Sequence, residues 1–398
     1  MSDFHFIERM DLKILTTTFN VVLMAENSYS GILLWLAAGL LVGAAAYLMF
    51  MQMQGPPAAG NTTNVSVGPG ANVTHVAVVG ITIINPPDCP DCRSLAEVLP
   101  QIVNATDAFN LTIGYVANIS ASEGAAMISE YRVTKLPVMV LTGNFTSGFV
   151  SWWTNGPGTQ ESDGALVLRD IYPPYYENGS TVGLVRGVAI GAPGCPKCIN
   201  ASDYIRSLED PRIDMRFSNA TVLDGSDSAA RTLIAEYNIT KLPTLLLSDD
   251  ANAYPFFSQY VLPFGEIRDG WFILRNTTPP YLDLQTGLVR GLVDTVLVVN
   301  SSCKDCFNVS DFSAYVTSTS GITVDNTTTY EADSTAGKTL IAKYNLTALP
   351  ALLYSPEISA YGGFADLWLQ RNSTIESDGW YVFRGYGLLR VTYQNITG

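Results

Sequence analysis

Three pairs of cysteines, each spaced Cys-x-x-Cys, recur along this chain at nearly constant intervals: Cys89-Pro-Asp-Cys92, Cys195-Pro-Lys-Cys198 and Cys303-Lys-Asp-Cys306. Their first members lie 106 and 108 residues apart, and the pairs account for all 6 cysteines. Each pair is followed by a related heptapeptide: YRVTKLP ending at Pro137, YNITKLP ending at Pro243, and YNLTALP ending at Pro350. The step from first cysteine to that proline is 48, 48 and 47 residues. A third landmark is an Asp-Gly (163–164, 269–270, 378–379) with an arginine six residues after the Asp, at Arg169, Arg275 and Arg384. The first two copies continue into Pro-Pro-Tyr (173–175, 279–281) and GLVRG (183–187, 287–291), and the last ends in GLLRV (387–391). Landmarks in the same order, three times over, define a triplicated domain.

The elements within one copy are readable. Val- and Ile-rich runs precede the cysteines (HVAVVGITII, VRGVAIGA, VDTVLVV) and read as buried strands. Helical stretches follow, such as RSLAEVLPQI and SDYIRSLED, then a strand candidate, LTIGYVA in the first copy. A second helix such as SAARTLIAEYN leads to the Leu-Pro step and another apolar strand: VMVLT, TLLLS or ALLYS. The order β-(CxxC)-α-β-α-(Pro)-β is that of a layered α/β domain.

On these residues each copy resembles a thioredoxin-like domain, over about residues 75–150, 182–250 and 288–355, with an extension in each repeat that the family lacks. The expected fold class is α/β, three tandem thioredoxin-like domains after an N-terminal transmembrane helix. The resemblance implies that the CxxC opens a helix and that Pro137, Pro243 and Pro350 are cis-prolines facing disulfides 89–92, 195–198 and 303–306. Cys-Pro-x-Cys in the first two copies is similar to glutaredoxin-like and archaeal disulfide-oxidoreductase motifs, whereas CKDC lacks the proline. The residue before the first cysteine is Asp88, Gly194 or Ser302, not the family's Trp, and no counterpart of thioredoxin's buried acid stands near the cysteines.

The chain's first 54 residues set a different constraint. Residues 32–50, ILLWLAAGLLVGAAAYLMF, carry no charge. Nineteen residues of helix span about 28 Å, the thickness of a bilayer's hydrocarbon core. Thirty residues of mixed charge precede the run, unlike the short basic start of a cleaved signal peptide, so a retained anchor is expected. Arg9 and Lys13 lie before it, and the next basic residue is Arg93; the positive-inside bias therefore places the N-terminus in the cytoplasm. Asn-x-Ser/Thr sequons support the same orientation. They begin at Asn61, Asn64, Asn72, Asn104, Asn110, Asn118, Asn144, Asn178, Asn200, Asn219, Asn238, Asn276, Asn300, Asn308, Asn326, Asn345, Asn372 and Asn395, which is 18 of the 21 asparagines after the apolar run. About one in six is expected from Ser/Thr content alone. Asn20 and Asn27, before the run, are not in sequons. The enrichment stops where a membrane would divide the chain, so N-linked glycans are expected on everything after it.

The expected organisation is therefore a cytoplasmic tail (1–30), a transmembrane helix (31–53), a flexible glycosylated linker (54–74) and repeats at 75–180, 181–286 and 287–398. Gly39 and Gly43 form a GxxxG that admits a second helix, hence a homo-oligomer. An archaeal envelope suits the motifs, with an endoplasmic-reticulum lumen also open.

A net charge of −14 argues against nucleic-acid binding. The only histidines are His5 and His75; the second opens an apolar run and reads as a strand-start residue, so cysteine is the nucleophile to expect. CxxC pairs over a hundred residues apart do not make a zinc ribbon, which pairs two such motifs within about 20 residues. Haem attachment would need a His after the second cysteine, where Arg93, Ile199 and Phe307 stand. No cofactor or metal is expected. A thiolate at a helix N-terminus is acidified by the dipole; the first cysteine attacks a substrate disulfide and the second resolves the mixed disulfide. Lys197 favours the Cys195 thiolate, while Asp91 and Asp305 oppose theirs, which ranks the second repeat as most reactive and the third as least. Sequons at Asn300 and Asn308 flank the third pair and would crowd it. Two functions follow: a membrane-anchored oxidoreductase or isomerase acting on thiols and disulfides of exported proteins, or a glycosylated surface-assembly protein whose disulfides are inert staples.

Overall fold

The computed structural model describes residues 77–389 and 391–396. The tail, the apolar segment, the linker, His5, His75 and the sequons at Asn61, Asn64 and Asn72 lie outside the described residues. Among the described residues no helix is long and apolar enough to cross a membrane.

The first repeat runs β1 (Val78–Asn85), α1 (Leu99–Ala108), β2 (Thr112–Ser120), α2 (Ala125–Glu130), β3 (Lys135–Leu136), β4 (Val138–Gly143), α3 (Ser147–Thr154), β5 (Gly158–Gln160), β6 (Leu166–Leu168), β7 (Tyr175–Glu177) and β8 (Ser180–Val182). β1 carries six consecutive buried residues, because an unbroken apolar run must be covered on both faces of a sheet. It therefore sits inside, pairing with β2 in parallel and with β4 antiparallel. The five-stranded sheet has the order β2-β1-β4-β6-β5, and β3, β7 and β8 form a separate small sheet. The parallel pair requires a crossover, which α1 supplies. The second repeat reproduces the large sheet with strands 216–224, 184–191, 244–248, 271–274 and 265–268, and the third with 324–331, 293–299, 351–354, 381–382 and 374–375.

The Asp-Gly and arginine landmarks turn out to be one structural device. Each Asp-Gly turns the β5–β6 hairpin or its equivalent, with Gly164, Gly270 and Gly379 all at positive φ. The arginine that follows reaches back to the end of the second helix. Arg169, Arg275 and Arg384 each donate from Nη2, at 2.6 Å, to the carbonyl of the helix's C-cap tyrosine: Tyr131, Tyr237 or Tyr344. Each is also ion-paired, to Glu161 (2.9 Å), Glu266 (2.7 Å) or Glu376 (3.0 Å). Carbonyls at a helix C-terminus have no intrahelical partner, and the guanidinium fork supplies one. The arginines thus hold the helix end from which the chain enters the Leu-Pro step.

At the start of each later repeat a tyrosine of that repeat holds the junction glycine. Tyr254, fully buried, donates to the Gly183 carbonyl (2.7 Å) and accepts from the Arg216 amide (2.9 Å). Tyr361 does the same with Gly291 (2.8 Å) and Thr323 (2.8 Å). Gly183 and Gly291 take φ of +87° and +86°, and a Cβ on either would meet the Cβ of Pro173 or Pro279 at 2.5 Å. These two glycines are equivalent, which puts the two GLVRG copies out of register. Gly183 opens the first copy, but Gly291 closes the second, whose Gly287 is only a turn residue before strand 288–290. Likewise the hairpins Tyr175–Glu177/Ser180–Val182 and Tyr281–Asp283/Leu288–Arg290 run across the breaks expected at 180/181 and 286/287.

Candidate functional site

In each repeat the cysteines lie between the first strand and the first helix and close a disulfide, with Cα atoms 5.3, 5.3 and 5.5 Å apart. They do not open the helix. The pairs occupy turns, in which the Cys92 and Cys198 amides donate to the carbonyls of Cys89 and Cys195 (both 3.2 Å). The helices start later, at Leu99, Ala201 and Val309. In the first repeat RSLAEV is turn, because the helix's own Pro100 is best tolerated in its first turn. In the others the helix is capped by Asn200, whose Oδ1 accepts from the Ser202 amide (3.1 Å), and by Asn308, which takes the Ser310 (3.0 Å) and Asp311 (3.3 Å) amides. The dipole's reach is about one turn, so in the second and third repeats it acts on Cys198 and Cys306 more than on the first cysteine, and in the first repeat the helix begins seven residues after Cys92.

The peptide bonds before Pro137, Pro243 and Pro350 are cis, as are Pro173–Pro174 and Pro279–Pro280. The strand residue before each of the first three is already paired. Leu136 faces Tyr176, Leu242 faces Leu282, and Leu349 faces Gln394. The family-atypical extension thus lies beside the cysteines, and its cover differs from repeat to repeat.

In the first repeat the hairpin reaches the sulfur itself: Cys89 Sγ is 3.2 Å from Thr181 Oγ1 on β8. The Arg93 amide donates to the Pro174 carbonyl (2.8 Å), fixing the turn under the hairpin. In the second repeat Cys195 is 8% exposed. Lys197 does not serve its neighbouring sulfurs as expected. Its ammonium is taken by the third repeat, at Asp325 Oδ1 (2.8 Å), the Asp325 carbonyl (3.0 Å) and the Val324 carbonyl (3.3 Å). In the third repeat residues 391–396 replace the inner hairpin strand, with the Phe307 amide donating to the Thr392 carbonyl (3.0 Å), and no outer strand follows among the described residues. There Cys303 and Cys306 line a cleft of about 220 Å³ with Leu349, Pro350 and Phe307, and Cys306 Sγ lies 3.9 Å from the Leu349 carbonyl. This cleft lies beside the pair ranked last from its motif.

The fold is thioredoxin-like, three times over. It is recognised by the strand order, by the CxxC between first strand and first helix, and by the cis-proline that opens the central antiparallel strand. No family model matches the chain, and no curated protein matches its sequence. Among solved structures the chain is similar to ERdj5 form II, at 10% identity and a TM-score of 0.14, covering 71% of this chain and 37% of that one. It is similar to human ERp44 at 11% and 0.13, covering 70% and 77%. The NTD_N/C domain of the alkylhydroperoxide reductase AhpF of Enterococcus faecalis follows at 13% and 0.14, covering 43% and 82%. The chain thus spans about a third of the ERdj5 structure.

Fifteen of the sequon asparagines are described; all but Asn300 are exposed. Asn300 is half-buried, donating to Gln394 Oε1 (2.6 Å) and accepting from the Ser302 amide (3.1 Å). Asn110, Asn178, Asn238, Asn345 and Asn372 adopt positive φ, which asparagine tolerates better than most residues. Backbone conformation therefore accounts for an asparagine at these five positions, though not for the Ser or Thr two residues on. Among the described residues no cluster of His, Cys, Asp and Glu comes together that could hold a metal. Sequence reasoning missed Thr181, Asp214, Tyr254 and Asp325. Their partners are far away in sequence, and no local pattern marks them.

Proposed function

We propose that this chain is a membrane-anchored, extracytoplasmic thiol–disulfide oxidoreductase of exported proteins, with exchange at the Cys303–Cys306 pair. Three close cysteine pairs on thioredoxin-like units are redox sites in kind. The observation that supports the choice among them is the cleft shared by Cys303, Cys306, Leu349 and Pro350. In the first repeat Thr181 Oγ1 lies against Cys89 Sγ and in the second Cys195 is nearly buried, while Cys92 and Cys198 are half-buried like Cys303 and Cys306. In the reduced form, the Cys303 thiolate attacks one sulfur of a substrate disulfide and expels the other as a thiolate. The Cys306 thiolate then attacks Cys303 Sγ, closing the pair and releasing the second substrate thiol. Two electrons pass to the substrate, and the reverse sequence oxidises a substrate dithiol. The apolar segment 32–50 and the sequons that begin beyond it support the anchor and the side of the membrane.

A second reading, a surface glycoprotein held by inert disulfides, is favoured for the first two pairs by the Thr181 contact and the burial of Cys195. Insulin reduction by the full chain and by single Cys→Ser variants separates the two. Cys303→Ser is expected to lose at least tenfold in rate, and Cys89→Ser and Cys195→Ser to keep most of it. Loss confined to Cys195→Ser would move the site to the second repeat. No turnover in the parent chain, with all three potentials below about −300 mV, would make every pair a staple. Protease and glycosidase accessibility on intact cells tests the orientation.

A further inference from the structure

The geometry points to Asp325, in the third repeat, as a positioning residue that sets the redox poise of the Cys195–Cys198 pair in the second. This inference rests on the Cys195–Cys198 pair also being able to cycle between dithiol and disulfide, whichever pair carries the exchange with substrate.

Lys197 stands between the two cysteines, next to Cys198 and two residues from Cys195. A cation there stabilises a thiolate, and hence the reduced pair. Its charge is nonetheless committed elsewhere, to the Asp325 carboxylate and to two backbone carbonyls of strand 324–331. The contact uses a bulge that all three repeats share, at Gly114, Ser218 and Asp325. The register of strand 293–299 against 324–331 slips at one point: Val293 faces Val324 and Asp294 faces Asn326, which leaves Asp325 as an unpaired bulge residue. A bulge frees a backbone carbonyl and re-aims a side chain, and here both the carbonyl and the carboxylate of one residue meet one ammonium. The joint between the first two repeats has the same plan. Arg93, next to Cys92, gives Nη2 to Asp214 Oδ2 (2.7 Å) and to the Asp214 carbonyl (3.4 Å). In both joints a cation carried by the cysteine turn is clamped by an aspartate and its own carbonyl on the following repeat.

Two effects of Asp325 on the second pair have the same sign. With the disulfide closed, the turn is held in the shape that fits the joint, so docking favours the oxidised form. With the disulfide open, Lys197 must leave Asp325 before it can stabilise a thiolate, so docking also disfavours the reduced form. By linkage, whatever binds one redox state preferentially shifts the couple by that preference. The electrons come from an external dithiol, which becomes a disulfide as the 195–198 bond breaks into two thiols.

The test is a redox titration of the full chain in dithiothreitol buffers, with the thiols of each pair counted by alkylation and peptide mass spectrometry. Asp325→Asn should raise the reduced-to-oxidised ratio of the second pair about threefold at any given buffer, about 14 mV at 29.6 mV per tenfold, and leave the third pair unmoved. Lys197→Met, which removes the docking contact and the cation together, should raise it less than Asp325→Asn does, and adding Asp325→Asn to Lys197→Met should change nothing further. A residue with a merely structural role would not show that dependence on Lys197. If the second pair titrates normally but Asp325→Asn leaves its potential unchanged, or shifts the third pair equally, the inference falls while the redox reading survives. If the second pair stays oxidised in every buffer, both fall.

Discussion

Replacing Tyr254 by Phe removes one oxygen from the joint between the first and second repeats. That oxygen donates to the Gly183 carbonyl at 2.7 Å and accepts from the Arg216 amide at 2.9 Å, inside a side chain with no exposed surface. Burial above all pushes the phenol's pKa up to about 12, against the lowering effect of the Arg216 amide. Nothing else in the substitution changes shape, so the cost is that of two backbone groups left without a partner. An unsatisfied buried group costs about 1–3 kcal/mol, and the Arg216 amide is only partly enclosed, so the sum is about 2–3 kcal/mol. For a domain of this size that lowers the second repeat's melting temperature by roughly 8–20 °C. Differential scanning calorimetry should show that transition moving apart from the others, and hydrogen exchange should rise at the Arg216 amide. Tyr260→Phe is the control, since Tyr260 is exposed. A Tyr254→Phe protein that melts within 0.5 kcal/mol of its parent (about the scatter of surface substitutions), with Arg216 still protected, would refute this account of the joint.

Two further expectations follow from the arginine clamps. Arg384→Met leaves the Tyr344 carbonyl without its guanidinium and the Glu376 carboxylate with only the Thr374 hydroxyl, and should destabilise the third repeat by about 1–2 kcal/mol in denaturant unfolding followed by tryptophan fluorescence. Glu161 is held below the ordinary glutamate range, first by the Thr159 hydroxyl and then by Arg169. A depressed folded-state value means that its contribution is present above its unfolded pKa of about 4.3 and is lost as pH falls through the lower folded value. Glu161→Gln should therefore cost stability at pH 7 and match the parent at pH 2; a constant difference at both would contradict the linkage.

Much of the fold was legible because the signals are local and periodic. An unbroken run such as VVGITII in Val78–Asn85 has to be an interior strand, and the Asp-Gly pairs have to be turns. The Leu-Pro steps fell where the resemblance put them. The helix start did not. Arg93 to Val98 look helical by composition, yet Pro100 and the hydrogen bond from the Arg93 amide to the Pro174 carbonyl keep them in turns. GLVRG misled for a related reason. Identical pentapeptides were aligned by identity, whereas positive φ at Gly183 and Gly291 aligns them by what the backbone needs.

The sequence by itself determined that there are three domains, that each carries a cysteine pair before a helix, and that sequons begin beyond an apolar run. Burial pattern and turn chemistry act over a few residues, and a period shows in the chain. Only the tertiary structure decided what lies against each pair, because the surroundings of a sulfur are set by whatever crosses it. Thr181 comes to Cys89 from 92 residues away, and Asp325 to Lys197 from 128. Contacts of that range leave no local trace in the chain.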